Sequence, residues 1–187
     1  MHVRPNVPPP GGSCPGLAFA DLWCFDPTVR PLAWKQVEVP GTMPAGRGGH
    51  SATVVGDCLY CFGGNTLQDS FNDLWRLNLL TFSGWEQLQG IENTPEARIG
   101  HSLLCIGDRL FVVGGRNFLT DRFCEGVHVY EVGAKRWEKL ELLEDTAAAN
   151  RTGHAAIPHP DGILLCGGLN RDQVPLGDFV LLNLFGS

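Results

Sequence analysis

The hydrophobic residues of this chain lie in short runs separated by glycine and aspartate, not at helical spacing. Two such runs, "HSLLCI" (101–106) and "RLFVVG" (109–114), are joined by Gly107-Asp108, a pair typical of a β-hairpin turn. Both runs are apolar on both faces, which predicts strands buried on both sides. A third run (72–78, 126–131) mixes apolar and charged residues, and a fourth ("WEQL", "WEKL") is led by tryptophan. The third and fourth strands can therefore face water.

This pattern recurs along the chain. The segments "RGGHSATVVGDCLYCFGG" (47–64), "RIGHSLLCIGDRLFVVGG" (98–115) and "RTGHAAIPHPDGILLCGG" (151–168) align without a gap, with starts 51 and 53 residues apart. "FNDLWRLN" (71–78) likewise repeats "FADLWCFD" (19–26). Single tryptophans, Trp34, Trp85 and Trp137, follow at the same period. Several independent markers therefore share a repeat of about 50 residues.

Four antiparallel strands repeated every 50 residues or so are the pattern of a β-propeller blade. The unit Arg-x-Gly-His-Ser, a Gly-Asp turn, Gly-Gly, Asp-Leu-Trp and a spaced tryptophan resembles the kelch-repeat family over residues 19–187. The resemblance implies an all-β, kelch-type β-propeller segment of four-stranded antiparallel blades. The expected divisions are a Pro/Gly-rich N-terminal segment at 1–18, a partial blade at 19–38, blades at 47–88 and 98–140, and a partial blade at 151–187.

These units amount to about three to three and a half blades, fewer than a closed propeller needs. Three explanations are considered: a fragment of a longer kelch protein, an open repeat segment, or a chain that pairs with a second copy. We favour the fragment. Open edges of apolar strands would otherwise promote self-association.

Composition narrows the partners. The net charge of −6 and the lack of a basic patch argue against nucleic acid. No run of eighteen apolar residues and no apolar signal region occur, so we expect no membrane partner and an intracellular location, cytoplasmic with the nucleus left open. The seven cysteines are expected to be free thiols, and the CxxC of Cys58 and Cys61 to belong to a strand and not to a metal site.

Several residues resemble catalytic machinery. His101 and Ser102 suggest a nucleophile and its base, but neighbours on a strand point to opposite faces, and the histidine recurs in every unit. The glycine doublets lack the ending of a phosphate loop. We therefore assign no catalytic, cofactor-binding or metal-binding residue, and expect structural roles: hydrogen bonds for the histidines, close packing or positive φ for the glycines, and packing between blades for the tryptophans. These structural residues are His50, Gly63, Gly64, Trp85, His101, Gly114, Gly115, Trp137, His154, Gly167 and Gly168.

The loops after the glycine doublets, at 65–72, 116–125 and 169–177, vary between units and are expected to share one face with the inter-blade segments 89–97 and 142–150. Arginine in such loops suits carboxylate or phosphoserine recognition. We predict a non-enzymatic scaffold or adaptor that binds a protein or peptide partner, without a cofactor. The alternative is part of a propeller enzyme, either a kelch-type metal enzyme or a domain appended to a transferase or phosphatase. The candidate binding residues are Arg116, Asn117, Phe118, Arg122, Asn170 and Arg171.

Overall fold

The structure is a computed structural model that describes residues 18–89, 92–140 and 150–184. In these ranges the chain forms thirteen β-strands and no helix. The strands are β1 (Leu22–Phe25), β2 (Trp34–Val37), β3 (Ser51–Val55), β4 (Cys58–Phe62), β5 (Leu74–Asn78), β6 (Trp85–Leu88), β7 (Ser102–Ile106), β8 (Arg109–Val113), β9 (Val127–Glu131), β10 (Arg136–Leu140), β11 (Ala155–His159), β12 (Gly162–Cys166) and β13 (Phe179–Asn183). The segment predicted at 1–18 lies outside the described residues, except for Ala18.

The strands form four antiparallel sheets in chain order. The first sheet pairs β1 with β2, the second runs β3-β4-β5-β6, the middle sheet runs β7-β8-β9-β10, and the last runs β11-β12-β13. The first hairpins of the second and middle sheets turn at Gly56-Asp57 and at the predicted Gly107-Asp108, whereas that of the last sheet turns at Pro160-Asp161. Gly107 adopts a φ of 63° that a side chain would disfavour. The prediction of an all-β fold built from four-stranded blades is confirmed.

Two apolar layers separate the sheets, one on each side of the middle sheet. Side chains of the second and middle sheets form the first layer, and side chains of the middle and last sheets form the second. Leu104 of β7 is 5% exposed because the last sheet covers it, whereas Ile157, at the same position of β11, is 56% exposed. The first layer contains Tyr60, Phe62, Leu74, Leu103, Leu110, Val112, Tyr130 and Trp137; the second contains Leu104, Phe111, Val113, Val127, Val129, Ile163, Leu165 and Leu182.

The third strands β5 and β9, whose mixed pattern allows exposure to water, are mostly buried. Four of the five residues of β9 and three of the five of β5 are buried. The reason is that neighbouring sheets cover these strands, so even their polar residues are partly or fully buried. The fourth strands, β6 and β10, do carry mostly partly exposed or exposed residues.

Cys58 and Cys61 both belong to β4, as expected of strand residues, and both are free thiols. Burial raises the pKa of the Cys61 thiol to about 11. In residues 18–89, 92–140 and 150–184, no group of three or more histidine, cysteine or acidic side chains is arranged to hold a metal ion. The same ranges contain no helix with the length and apolar character needed to cross a membrane.

Candidate functional site

The glycine doublets that resemble a phosphate loop close the second strand of each unit. All six of these glycines have positive φ, between 62° and 98°. A Cβ on Gly115 would lie 2.8 Å from the Ile99 carbonyl oxygen and 2.9 Å from the His101 Cβ. Gly64 and Gly168 are equally close to the corresponding backbone. Both reasons predicted for these glycines, close packing and positive φ, are therefore present.

The repeated histidines are packing groups. His101 and His154 are buried, and burial together with the charge of Arg98 or Arg151 lowers their pKa values, to about 3 and about 4. The His101 ring meets Phe62 of the preceding sheet edge-on, with centroids 5.4 Å apart. Neither ring nitrogen of His154 has a hydrogen-bond partner within the described part of the chain, whereas the His101 ring interacts with the Phe62 backbone. His50, which immediately precedes β3, is exposed.

The glycine before each histidine links neighbouring sheets, which the sequence did not indicate. The Gly100 N–H donates to the Gly49 carbonyl at 3.0 Å, and the Gly153 N–H donates to the Gly100 carbonyl at 2.8 Å. A Cβ on Gly100 would lie 2.3 Å from Thr152 Oγ1 of the next unit. Because these contacts run from unit to unit, they form a backbone ladder through the stack.

The serines that follow His50 and His101 have the same linking role. Ser51 Oγ accepts a hydrogen bond from the Leu103 N–H of the next sheet at 3.0 Å, and Ser102 Oγ donates to the His154 carbonyl at 3.4 Å. The His-Ser pair therefore acts across sheets, and its two side chains do not bond to each other. These serine hydrogen bonds hold neighbouring sheets together.

Arg47 and Arg151, which start the second and last sheets' units, each join the end of the second strand to the start of the third. Arg47 donates to the Gly63 carbonyl at 2.9 Å and forms a two-point ion pair with Asp73, at 2.5 and 2.9 Å. Arg151 repeats the arrangement with the Gly167 carbonyl and Asp178, at 2.8 to 3.0 Å. Trp75 Nε1 also donates to Asp73, at 2.6 Å. The carboxylate thus collects donors from two parts of its sheet.

The tryptophans differ in their surroundings. Trp137 is 1% exposed and packs against Phe62 of the preceding sheet and Tyr130 of its own, at 5.3 and 5.1 Å between ring centroids. Trp85 is half-buried, and Trp34 is 65% exposed. The predicted packing between blades is therefore observed for Trp137, where a complete sheet precedes it.

The post-glycine loops are held in shape by their own polar residues. Asn65, Arg116 and Leu169 each form a β-bridge to the start of their unit and a second bridge across their own loop. Asn117 Oδ1 accepts the Leu119 and Thr120 N–H groups at 3.0 and 3.1 Å. Asn170 Oδ1 accepts two N–H groups in the same manner. Both asparagines, predicted as binding residues, fix the loop backbone.

The predicted arginines fall into two groups. Arg116 forms a close ion pair with Asp121 of its own loop, and Arg171 pairs with Glu125 of the neighbouring loop at 2.6 Å. Arg122 is exposed, and its side chain has neither an ion pair nor a hydrogen bond within the described ranges. Phe118 is half-buried beside it. Arg122 is thus the most available cation among the six candidates.

Each post-glycine loop also presents one large aliphatic side chain to solvent. Leu67 is 69%, Leu119 60% and Val174 51% exposed. These aliphatic residues are not among the predicted binding residues, which are mostly hydrogen-bond donors. Their exposure depends on the bridges that fold each loop back on itself. They and Arg122 define what we call the loop face: Leu67, Leu119, Arg122 and Val174.

The inter-blade segments approach the loop face where they are described. Asn72 Nδ2 donates to the Pro95 carbonyl at 3.3 Å, and Asn117 Nδ2 donates to the Ala97 carbonyl at 3.1 Å. Both contacts join a post-glycine loop to the segment 89–97, Asn72 from the unit before this segment and Asn117 from the unit after it. Residues 90, 91 and 142–149 of the predicted inter-blade segments lie outside the described residues.

Most of the chain matches a model of a known family. The family model described as the KLHDC2/KLHL20/DRC7 Kelch-repeats domain matches residues 11–184. The chain belongs to the kelch-repeat family. Its kelch sheets resemble those in the solved structure of YjhT, with a TM-score of 0.66 at 16% identity over 83% of this chain and 53% of that one. This likeness supports the fold.

Curated relatives include proteins of different kinds. Kelch domain-containing protein 10 of Homo sapiens is 29% identical over 162 residues, which is 83% of this chain and 36% of the relative. N-(sulfonatooxy)prop-2-enimidothioate sulfolyase of Thlaspi arvense is 29% identical over 143 residues, 74% of this chain and 40% of that enzyme. The chain thus spans about two fifths or less of the length of these relatives.

Proposed function

We propose that this kelch segment is a non-enzymatic interaction scaffold that binds a protein or peptide partner through the loop face. The observation that carries the proposal is that three consecutive units each expose one aliphatic side chain at the same end of the stack: Leu67, Leu119 and Val174. Exposed apolar groups rimmed by polar loops are typical of protein-binding surfaces.

The rigidity of the loops supports this proposal. Asn117 and Asn170 order their loops by hydrogen bonds, and the Arg171–Glu125 ion pair joins the second loop to the third. Ordered loops lose little conformational entropy when a partner binds, so more of the contact energy appears as affinity. The unit structure places these loops side by side.

The charge of Arg122 suggests the chemistry of the partner. Arg122 is exposed in the same loop as the exposed Leu119 and the half-buried Phe118. Arginine donates two parallel hydrogen bonds to a carboxylate or phosphate, and it is enriched among the residues that dominate binding energy. We infer a partner segment that combines apolar side chains with an acidic group.

A loop variant tests this function. The triple substitution Leu67→Ser, Leu119→Ser and Arg122→Ala should remove partners without harming the fold, since all three side chains are exposed. The control is Leu80→Ser with Arg109→Ala, because Leu80 is 73% exposed in the β5–β6 connection and Arg109 follows the β7–β8 turn, both at the opposite end of the sheets.

The measurement is quantitative affinity enrichment from cell extracts with both variants and the wild type, followed by binding assays with the purified partner. We expect one or more proteins to be lost with the loop variant, with at least tenfold weaker binding, and retained with the control. Equal enrichment with all three chains would refute the loop face as the binding surface.

A second function is supported by the likeness to the sulfolyase of Thlaspi arvense. It would make the chain part of a lyase, with a site completed by residues beyond this segment. Incubating the purified chain with an N-(sulfonatooxy)prop-2-enimidothioate and measuring its metal content distinguishes the two functions. Turnover, or stoichiometric metal, would favour the enzyme; the scaffold predicts neither.

A further inference from the structure

The middle sheet lacks a carboxylate that its neighbours possess. Asp73 and Asp178 immediately precede the third strands β5 and β13, where each pairs with the arginine that starts its unit. The residue that immediately precedes β9 is Gly126. Arg98, the equivalent arginine, still donates to the Gly114 carbonyl at 3.0 Å and to the Glu96 carbonyl at 3.1 Å. Within the described ranges it forms no ion pair.

Arg98 is 1% exposed, so its charge is removed from water. Burial lowers the pKa of its guanidinium, but arginine remains protonated in proteins. A buried cation without a paired anion is costly, and removing one partner of such a pair destabilises a protein strongly. The nearest acidic groups are the exposed Glu96 and the buried Cys124 thiol, which act on Arg98 from outside ion-pair distance. In the second sheet one edge of the Arg47 guanidinium binds Asp73, whereas the same edge of Arg98 has no carboxylate to bind.

A second donor is unpartnered at the same place. Two residues into the third strand, Trp75 and Trp23 donate their ring N–H to the aspartate that precedes the strand, at 2.6 and 2.5 Å. His128 occupies this register in β9; it is 9% exposed, and its Nδ1 has no hydrogen-bond partner in the described residues. The imidazole therefore replaces an indole that would donate to a carboxylate.

A second cation, Lys139, covers the position where the side chain of an aspartate would lie. Lys139 pairs with His128 across β9 and β10, where the second sheet has Gln87 opposite Trp75. An ideal Cβ at Gly126 would lie 2.8 Å from Lys139 Cε and 3.8 Å from its Nζ. Arg47, Asp73 and Gln87 have no net charge together, whereas Arg98, Gly126 and Lys139 carry two positive charges. Burial and the charges of Arg98 and Lys139 lower the His128 pKa to about 4, which is consistent with this crowding.

We propose that Arg98, His128 and Lys139 form a binding site for a single carboxylate, which takes the place of the aspartate missing at Gly126. A carboxylate fits because its two oxygens match the guanidinium edge, as Asp73 and Asp178 do in the neighbouring sheets. Lys139 is exposed, so displacement of its side chain opens the way to Gly126. The carboxylate comes from a small free acid or from an acidic side chain of a partner.

The test uses sodium formate as the probe and thermal unfolding of the whole chain as the readout. At constant ionic strength, replacing chloride by formate should raise the melting temperature saturably by about 3 °C, because the ligand binds the folded state. Gly126→Asp supplies the carboxylate from the chain and should abolish the response. Gly133→Asp adds the same charge at an exposed turn with no atom within 4 Å of its Cβ, and should keep it.

A milder variant and a local probe keep the test decisive if Gly126→Asp does not fold. Lys139→Gln restores the residue type of the second sheet and should weaken formate binding about fivefold. The NMR signals of the His128 ring should shift during the titration while those of His154 stay in place. An acidic peptide that gives the same shifts at lower concentration would identify a partner side chain as the source.

The proposal is overturned if formate gives no saturable shift in the wild type, or if Gly126→Asp responds as strongly as Gly133→Asp. A chloride titration that saturates the same His128 shifts, with formate unable to compete, would show a halide site and contradict the carboxylate. The loss of the loop-face function would not affect these results, since none of the three residues belongs to that face.

Discussion

The middle sheet and its neighbours carry the same repeated residues in different surroundings. Trp137 and His101 of the middle unit are buried, whereas Trp34 and His50 of the earlier units are exposed. The difference is the presence of a covering sheet, because Trp137 packs on Phe62 of the sheet before it. A kelch motif therefore stabilises the protein through its neighbour and has little effect where that neighbour is missing.

Acid should have the largest effect on this stack. His101, His128 and His154 have pKa values lowered to about 3, 4 and 4 in the folded chain. The unfolded chain binds more protons below pH 6.5, so the free energy of unfolding falls as pH decreases from about 6.5 toward 4. By pH 5 the loss should be about 2 kcal/mol for each histidine. Urea unfolding at pH 7.5, 6 and 5 measures it, and His101→Gln should reduce the slope.

Removing the buried indole should come next. Trp137→Ala leaves a cavity between two sheets and should lower the free energy of unfolding by about 4 kcal/mol. Trp34→Ala removes the same group from an exposed position and should cost less than about 0.5 kcal/mol. Paired urea titrations compare them. Equal losses would show that the sheets do not differ as described.

Alanine substitutions at Gly100 and Gly153 distinguish the cost of backbone strain from the cost of a clash with the neighbouring sheet. Gly100 and Gly153 have φ values of 62° and 67°, so alanine strains both by about 1 kcal/mol. A Cβ at Gly100 also meets Thr152 Oγ1, whereas a Cβ at Gly153 meets nothing within 4 Å. We expect Gly100→Ala to cost about 3 kcal/mol and Gly153→Ala about 1 kcal/mol in thermal unfolding. A larger loss of stability for Gly153→Ala than for Gly100→Ala would contradict the close contact between Gly100 and the next sheet.

The serine contacts should give the smallest effect. Ser51→Ala removes the acceptor of the Leu103 N–H and should cost about 1 kcal/mol. Ser102→Ala removes a longer contact to the His154 carbonyl, so we expect about half of that loss. Chemical denaturation of both variants resolves the difference, and a neutral Ser51→Ala would argue against a bond between sheets.

The repeat made much of the scaffold predictable. Glycine doublets, hairpin turns and the buried first strands depend on local spacing, so the period of about 50 residues located them. The contacts of Arg47 with Asp73 and of Gly100 with Gly49 join residues 26 and 51 positions apart, and they become evident only in the fold. The burial of β5 and β9 was also missed, since it depends on the sheets that cover them.

The loop face was harder to predict. Polar candidates such as Asn117 and Asn170 were predicted to bind a partner, but their side-chain oxygens accept hydrogen bonds from N–H groups of their own loops. Leu67, Leu119 and Val174 have no distinguishing sequence context, because an aliphatic residue in a loop is as often covered as exposed. The bridges of Asn65, Arg116 and Leu169 decide their exposure, and these bridges require the folded unit.

Native-state hydrogen exchange of the Gly100 and Gly153 amides tests most directly whether the repeated residues join the sheets into one stack. Both N–H groups donate to the carbonyl of the corresponding glycine in the preceding unit. We predict that they exchange as slowly as the strand amides of β7 and β8, through global unfolding. Exchange at the rate of the open turn at Gly107 would contradict the stack and the account built on it.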